Sequence, residues 1–145
     1  MEICTRYVGM DSLEGGYLIH TNCADIKVCF VTDETVRLRA SFDKELAEES
    51  YILMTTAWAD RLDSLFEGER TRVSPCQPAV CETEGELTFD TGKVKLVLQK
   101  SPLNFRLYNA EGELLYSALP GNPSTLARNS RITTASTASA KRPAF

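Results

Sequence analysis

The chain holds a single histidine among its 145 residues, and that scarcity narrows the available chemistry at once. A nucleophilic enzyme wants Ser, Cys or Lys beside a base, and His20 stands alone in the strand-like run GYLIHTN. A lone histidine in a strand is ordinarily structural. There is no G-x-S-x-G elbow, no H-E-x-x-H, no P-loop and no dinucleotide fingerprint, so the motif routes to hydrolase, metalloenzyme and nucleotide enzyme all close. Long apolar runs are missing too. Nothing approaches the roughly 18 to 20 residues that span a bilayer, and residues 1–6 lack a basic stretch leading into an apolar segment. The expectation is a soluble, cytoplasmic protein with no membrane partner.

A basic patch is also lacking. Residues 1–121 carry 12 Lys and Arg against 20 Asp and Glu, while residues 122–145 carry four basic residues and no acid. An acidic body repels phosphate backbones, and Arg128, Arg131, Lys141 and Arg142 are scattered rather than clustered, so no nucleic-acid partner is expected. The five cysteines, Cys4, Cys23, Cys29, Cys76 and Cys81, make an odd number with no secretory signal, which predicts reduced thiols. Neither Cys23/Cys29 nor Cys76/Cys81 has C-x-x-C spacing, and Pro75 and Pro78 suggest a plain loop around the latter, so no metal or other cofactor is expected.

What the chain does have is 43% hydrophobic residues, enough for one real core, arranged with a period of two. In ADIKVCFVT, Ile26, Val28 and Phe30 share a strand face; in TVRLRASF, Val36, Leu38, Ala40 and Phe42 do so, with Arg37, Arg39 and Ser41 opposite. Thr32, Asp33 and Glu34 connect the two as a hairpin. A second hairpin is predicted in ELTFDTGKVKLVLQK, where Leu87 and Phe89 precede an Asp90-Thr91-Gly92 turn and Val94, Leu96 and Leu98 follow it. Ser101-Pro102 then breaks the run, and Leu103, Phe105 and Leu107 lead through an NAEG turn to Glu113-Leu-Leu-Tyr116 as a third.

The middle is ambiguous. KELAEES at 44–50 favours a loop or short helix and YILMTTAW at 51–58 a strand, and an amphipathic helix over 43–66 stays open as the alternative. Residues 59–78 are charged and then punctuated by proline, suiting a crossing between sheets. Many short strands, tight turns and no β-α alternation predict an all-β, antiparallel β-sandwich. The credible domain runs over 1–123. From 124 to 145 Ser, Thr and Ala dominate without apolar periodicity, which predicts a disordered tail or at most an edge strand.

Candidate site residues are few. Asp60 and Asp63 beside Trp58 form an imaginable sugar-contacting group, but two acids three apart in a charged stretch are ordinarily solvated or paired with Arg61. Trp58, Tyr108 and Tyr116 are the aromatic candidates for a carbohydrate platform, against the commoner role of core packing.

The stretch from about Ile26 to Leu119 resembles the N-terminal domain of glycoside hydrolase family 31, the α-glucosidase and α-xylosidase family. ADIKVCFVTDETVRLRASF is similar to the family's early strand pair and ESYILMTTAWADRLD to the segment after it. TGKVKLVLQKSPLNFRLYNAEGELL follows the family's order of T-G, alternating strand, break, aromatic-containing strand and acidic-Gly hairpin. The resemblance implies a galactose-mutarotase-like supersandwich leading into a (β/α)8 barrel that cleaves α-glycosidic bonds with retention. It implies a non-catalytic accessory domain that packs on that barrel and shapes its substrate pocket. The family's catalytic aspartates lie in the barrel, and the Tyr/Phe-Gly-Phe/Leu-Gly-Glu stretch before its substrate-approaching loop is not reached, so no catalytic or substrate-binding residue carries over. Where an aromatic strand would continue, this chain has ITTASTASAKRPAF, which reads like an out-of-frame product. A docking face without its barrel also predicts self-association; the alternative is a free-standing carbohydrate- or protein-binding module.

Overall fold

A computed structural model describes residues 4–44 and 75–118 in full, with the strand backbone at 55–56, 71–72 and 136–139. Period-two segments become strands because alternation buries one row of apolar side chains while the ladder satisfies the backbone. The first sheet is built from β1 (Tyr7–Leu13), β2 (Gly16–Thr21), β3 (Asp25–Thr32) and β4 (Thr35–Ser41). After the short parallel pair β5 (Thr55–Thr56) and β6 (Thr71–Arg72), the second sheet follows as β7 (Ala79–Glu82), β8 (Glu86–Asp90), β9 (Val94–Lys100), β10 (Leu103–Asn109) and β11 (Leu114–Ser117). A last strand, β12 (Ser136–Ser139), returns to the first sheet and pairs antiparallel with β4. The sheets run β1-β2-β3-β4-β12 and β11-β10-β9-β8-β7, each antiparallel throughout. No helix occurs among the described residues, and the architecture is the expected all-β sandwich.

The three predicted hairpins fold as read. Asp33–Glu34 joins β3 to β4, Thr91–Lys93 joins β8 to β9, and Ala110–Glu113 joins β10 to β11. At the β8–β9 turn the Asp90 carboxylate accepts from the Gly92 amide at 2.8 Å, and Gly92 takes φ +87°, a conformation L side chains rarely adopt. Ser101–Pro102, with a cis peptide bond, makes the β9–β10 turn. The β1–β2 hairpin is not legible in the sequence, because YVGMDSL has no apolar alternation; Gly15, at φ +81°, lets it turn. Gly16 is required by a close approach, since a Cβ there would stand 2.4 Å from the Val28 carbonyl oxygen.

The core is where the sheets face each other. Ile19, Ile26, Val28, Phe30 and Val36 from the first sheet meet Leu87, Phe89, Val94, Leu96, Leu98, Phe105 and Leu107 from the second. Phe89 is the joint, its ring centroid 4.9 Å from Tyr17 and 5.7 Å from Phe30. Both ends are pinned across the sheets: Thr91 donates its hydroxyl to the Asp33 carbonyl at one end, and the Leu103 amide donates to the Thr5 carbonyl at the other.

Two expectations need correction. The face opposite the apolar row, which the alternation of Arg37, Arg39 and Ser41 marks as the polar one, is not a water-facing surface in the middle of the first sheet, where Asp25, Lys27, Cys29, Arg37 and Ser41 are buried along with the core-facing row. Period two separates two faces without saying which face meets water. Five separate thiols also fails, since Cys4 and Cys23 are joined as a disulfide with Cα atoms 5.5 Å apart; Cys29, Cys76 and Cys81 take no part in a disulfide. The pair is 19 positions apart in sequence, and the β1–β2 hairpin folds that separation back on itself. The ambiguous stretch 45–74 lies outside the described residues except for β5 and β6, as does the tail except for β12.

Candidate functional site

Tyr108 and Tyr116 are separated by the β10–β11 hairpin, and a break in register decides their fates. Leu107 pairs with Tyr116 and Tyr108 with Leu114, so the ladder slips between them. Tyr116, half-buried, packs against the core and pairs with Leu107. Tyr108 goes to the opposite face of the second sheet, in a row with Asp90, Lys95 and Leu114. Trp58, Asp60 and Asp63 lie outside the described residues.

Around Tyr108 the tips of the β8–β9 and β10–β11 hairpins leave an open cleft of about 370 Å³. Its chemistry comes from Asp90, Lys93, Lys95, Tyr108 and Asn109. An aromatic ring flanked by carboxylate, ammonium and amide groups matches a polyhydroxylated ligand in kind. Several of these groups already hold the turns. Asn109 donates to Glu113 at 2.8 Å, and Lys93 reaches Glu34 at 3.2 Å and Asp33 at 3.4 Å. Those two carboxylates, Glu34 first, raise the affinity of the Lys93 amine for its proton.

A second cluster sits on the far face of the first sheet. His20 on β2 touches Asp25 of β3 through Nδ1 at 2.8 Å and Asp11 of β1 through Nε2 at 2.9 Å. Hydrogen bonding to Asp11, then to Asp25, holds its pKa above the ordinary histidine value. The sequence marks His20 as structural, and the structure makes it a link across three strands. A third cluster ties sheet to sheet: Lys100 binds Glu82 at 2.8 Å, lies 5.0 Å from the centre of the Tyr7 ring, and depresses the Glu82 carboxyl. No group of three or more His, Cys, Asp or Glu side chains able to hold a metal occurs among the described residues.

Apolar side chains left in solvent lie on edge strands. Leu114 and Leu115 on β11 are 54% and 40% exposed, Val8 and Leu13 are exposed on β1, and Val80 on β7. Such residues are invisible as a group in the sequence, because only strand order reveals which strands lie at an edge.

No protein-family model matches the chain, and no curated protein matches it. Solved structures do. A GH31 dextranase from Flavobacterium johnsoniae, complexed with glucose, is similar over 84% of this chain at a TM-score of 0.59 and 14% identity. The likeness is one of fold. A cycloalternan-forming enzyme from Listeria monocytogenes, in complex with a pentasaccharide substrate, is similar over 84% of this chain at a TM-score of 0.57 and 18% identity. The chain spans 14% of the dextranase and 10% of the cycloalternan-forming enzyme. The sandwich is therefore the fold of a small part of these carbohydrate-active enzymes, in keeping with the resemblance to family 31 in the sequence.

Proposed function

We propose that this chain is a non-catalytic N-terminal accessory domain of a family 31 glycoside hydrolase, whose parent enzyme hydrolyses α-glycosidic bonds with retention. It packs on a (β/α)8 catalytic domain and forms one wall of the substrate pocket. The observation that carries the reading is the fold match over 84% of this chain to a segment amounting to only 10% or 14% of two carbohydrate-active enzymes. Two features support it. The sequence carries none of the hydrolase motifs, and apolar side chains on the edge strands suit a docking partner. The test is the genomic sequence downstream of the Phe145 codon, read in all three frames. A barrel-coding region is expected there, and its absence from the locus overturns the proposal.

A second reading, a free-standing carbohydrate-binding module, is favoured by the cleft at Tyr108. Titration of the chain with glucose, maltose and isomaltose separates the two. Saturable binding at millimolar or lower concentration, abolished in Tyr108→Ala, supports the module; no binding supports the accessory domain.

A further inference from the structure

His20 lies between two carboxylates, and each occupies a different ring nitrogen. A neutral imidazole has one N–H, so it donates to only one of them; both hydrogen bonds are donated only by the imidazolium. The strands joined are unequal. β1 is an edge strand whose ladder is with β2 alone, whereas β3 lies inside the sheet between β2 and β4. The carboxylates are unequal too, the Asp11 side chain being 68% exposed and that of Asp25 11%. On losing a proton, the ring keeps the N–H facing Asp25, because stripping a donor from a buried carboxylate costs more than returning an exposed one to water. The hydrogen bond that breaks is the one to Asp11 on β1.

We propose that Asp11, His20 and Asp25 form a proton-operated clasp that fastens the edge strand β1 to the sheet when His20 is charged and releases it when His20 is neutral. Asp11 approaches from β1 and Asp25 from β3, and these are the charges that act on the ring. Lys27 on β3 and Arg39 on β4 follow one row away on the same face. The direction follows from the hydrogen bonds. His20 binds its proton more tightly in the folded chain than in the unfolded one, so the clasp is complete below the ordinary histidine range and opens as pH rises through the raised folded value. What is released is a strand already carrying exposed Val8 and Leu13, with its ladder to β2 still in place.

The chain makes the test direct, because His20 is its only histidine and one imidazole proton resonance reports it. In the intact chain that resonance is expected to titrate above the ordinary midpoint of about 6.5, and the midpoint is expected to fall in Asp11→Asn, a change at an exposed site. Amide exchange in β1, corrected for its intrinsic pH dependence, is expected to quicken by roughly two- to five-fold across that titration, the worth of one exposed ion pair. Exchange in β10 stays unchanged, and His20→Gln abolishes the pH dependence in β1. A wild-type midpoint at or below the ordinary value, a midpoint indifferent to Asp11→Asn, or β1 exchange that follows β10 at every pH overturns the proposal. The Asp25→Asn variant is not required, so a folding failure there leaves the test intact.

Discussion

Phe89 is fully buried on β8 and its ring meets Tyr17 and Phe30 of the opposite sheet, so truncating it tests whether the two sheets close on one another as described. Phe-to-Ala changes in cores cost about 3–5 kcal/mol, from the forfeited transfer energy and the cavity left behind. The upper half of that range applies here. Two tilted ring pairs disappear with the side chain, each worth about 0.5–1.5 kcal/mol beyond area burial, and strands on both sides prevent collapse into the void. A domain of this size has about 5–15 kcal/mol in total, so Phe89→Ala removes about a quarter of it or more. With a urea slope of about 2 kcal/mol/M, a destabilisation of about 4 kcal/mol lowers the unfolding midpoint by about 2 M. Far-UV circular dichroism under non-reducing conditions reads that shift. Phe89→Leu, which retains bulk, should fall between Ala and wild type. Val80→Ala on the exposed edge strand β7 should stay within about 0.5 kcal/mol of wild type. If Phe89→Ala moves the midpoint no further than Val80→Ala, the inter-sheet packing argument is wrong.

Gly16→Ala forces a Cβ to within 2.4 Å of the Val28 carbonyl and is expected to cost about 1–3 kcal/mol. Gly9→Ala, with nothing within 4 Å, escapes that clash, and equal melting temperatures for the two variants would refute the steric reading. Leu114→Asp should suppress concentration-dependent association in sedimentation velocity while leaving thermal stability unchanged, since the side chain is exposed on β11; association unaltered by the substitution removes β11 from the docking surface. The denatured but unreduced chain should show three reactive thiols out of five, because Cys4 and Cys23 are paired. Counting five would refute the pairing.

Part of the fold is written in local order. Strands β3, β4, β8, β9, β10 and β11 can be placed from alternation and turn chemistry, because each hairpin needs only neighbours in sequence to define its faces. Strands β1 and β7 cannot. Their side chains are mostly exposed, with no buried apolar row to betray the period. Tyr108 and Tyr116 look equivalent as aromatic candidates until a one-residue slip in the β10–β11 ladder sends one to a cleft and the other to the core.

The sequence by itself determined an all-β sandwich, because a period of two and tight turns are properties of residues close together in the chain. Tertiary structure alone decided which faces are covered, so that Lys27 and Arg37 are buried on strands whose pattern placed them toward water. It decided the Cys4–Cys23 pair, and it set His20 between Asp11 and Asp25, nine residues before it and five after. These pairings run across the sheet rather than along the strand. Their partners are chosen by strand order and register, which no single segment contains.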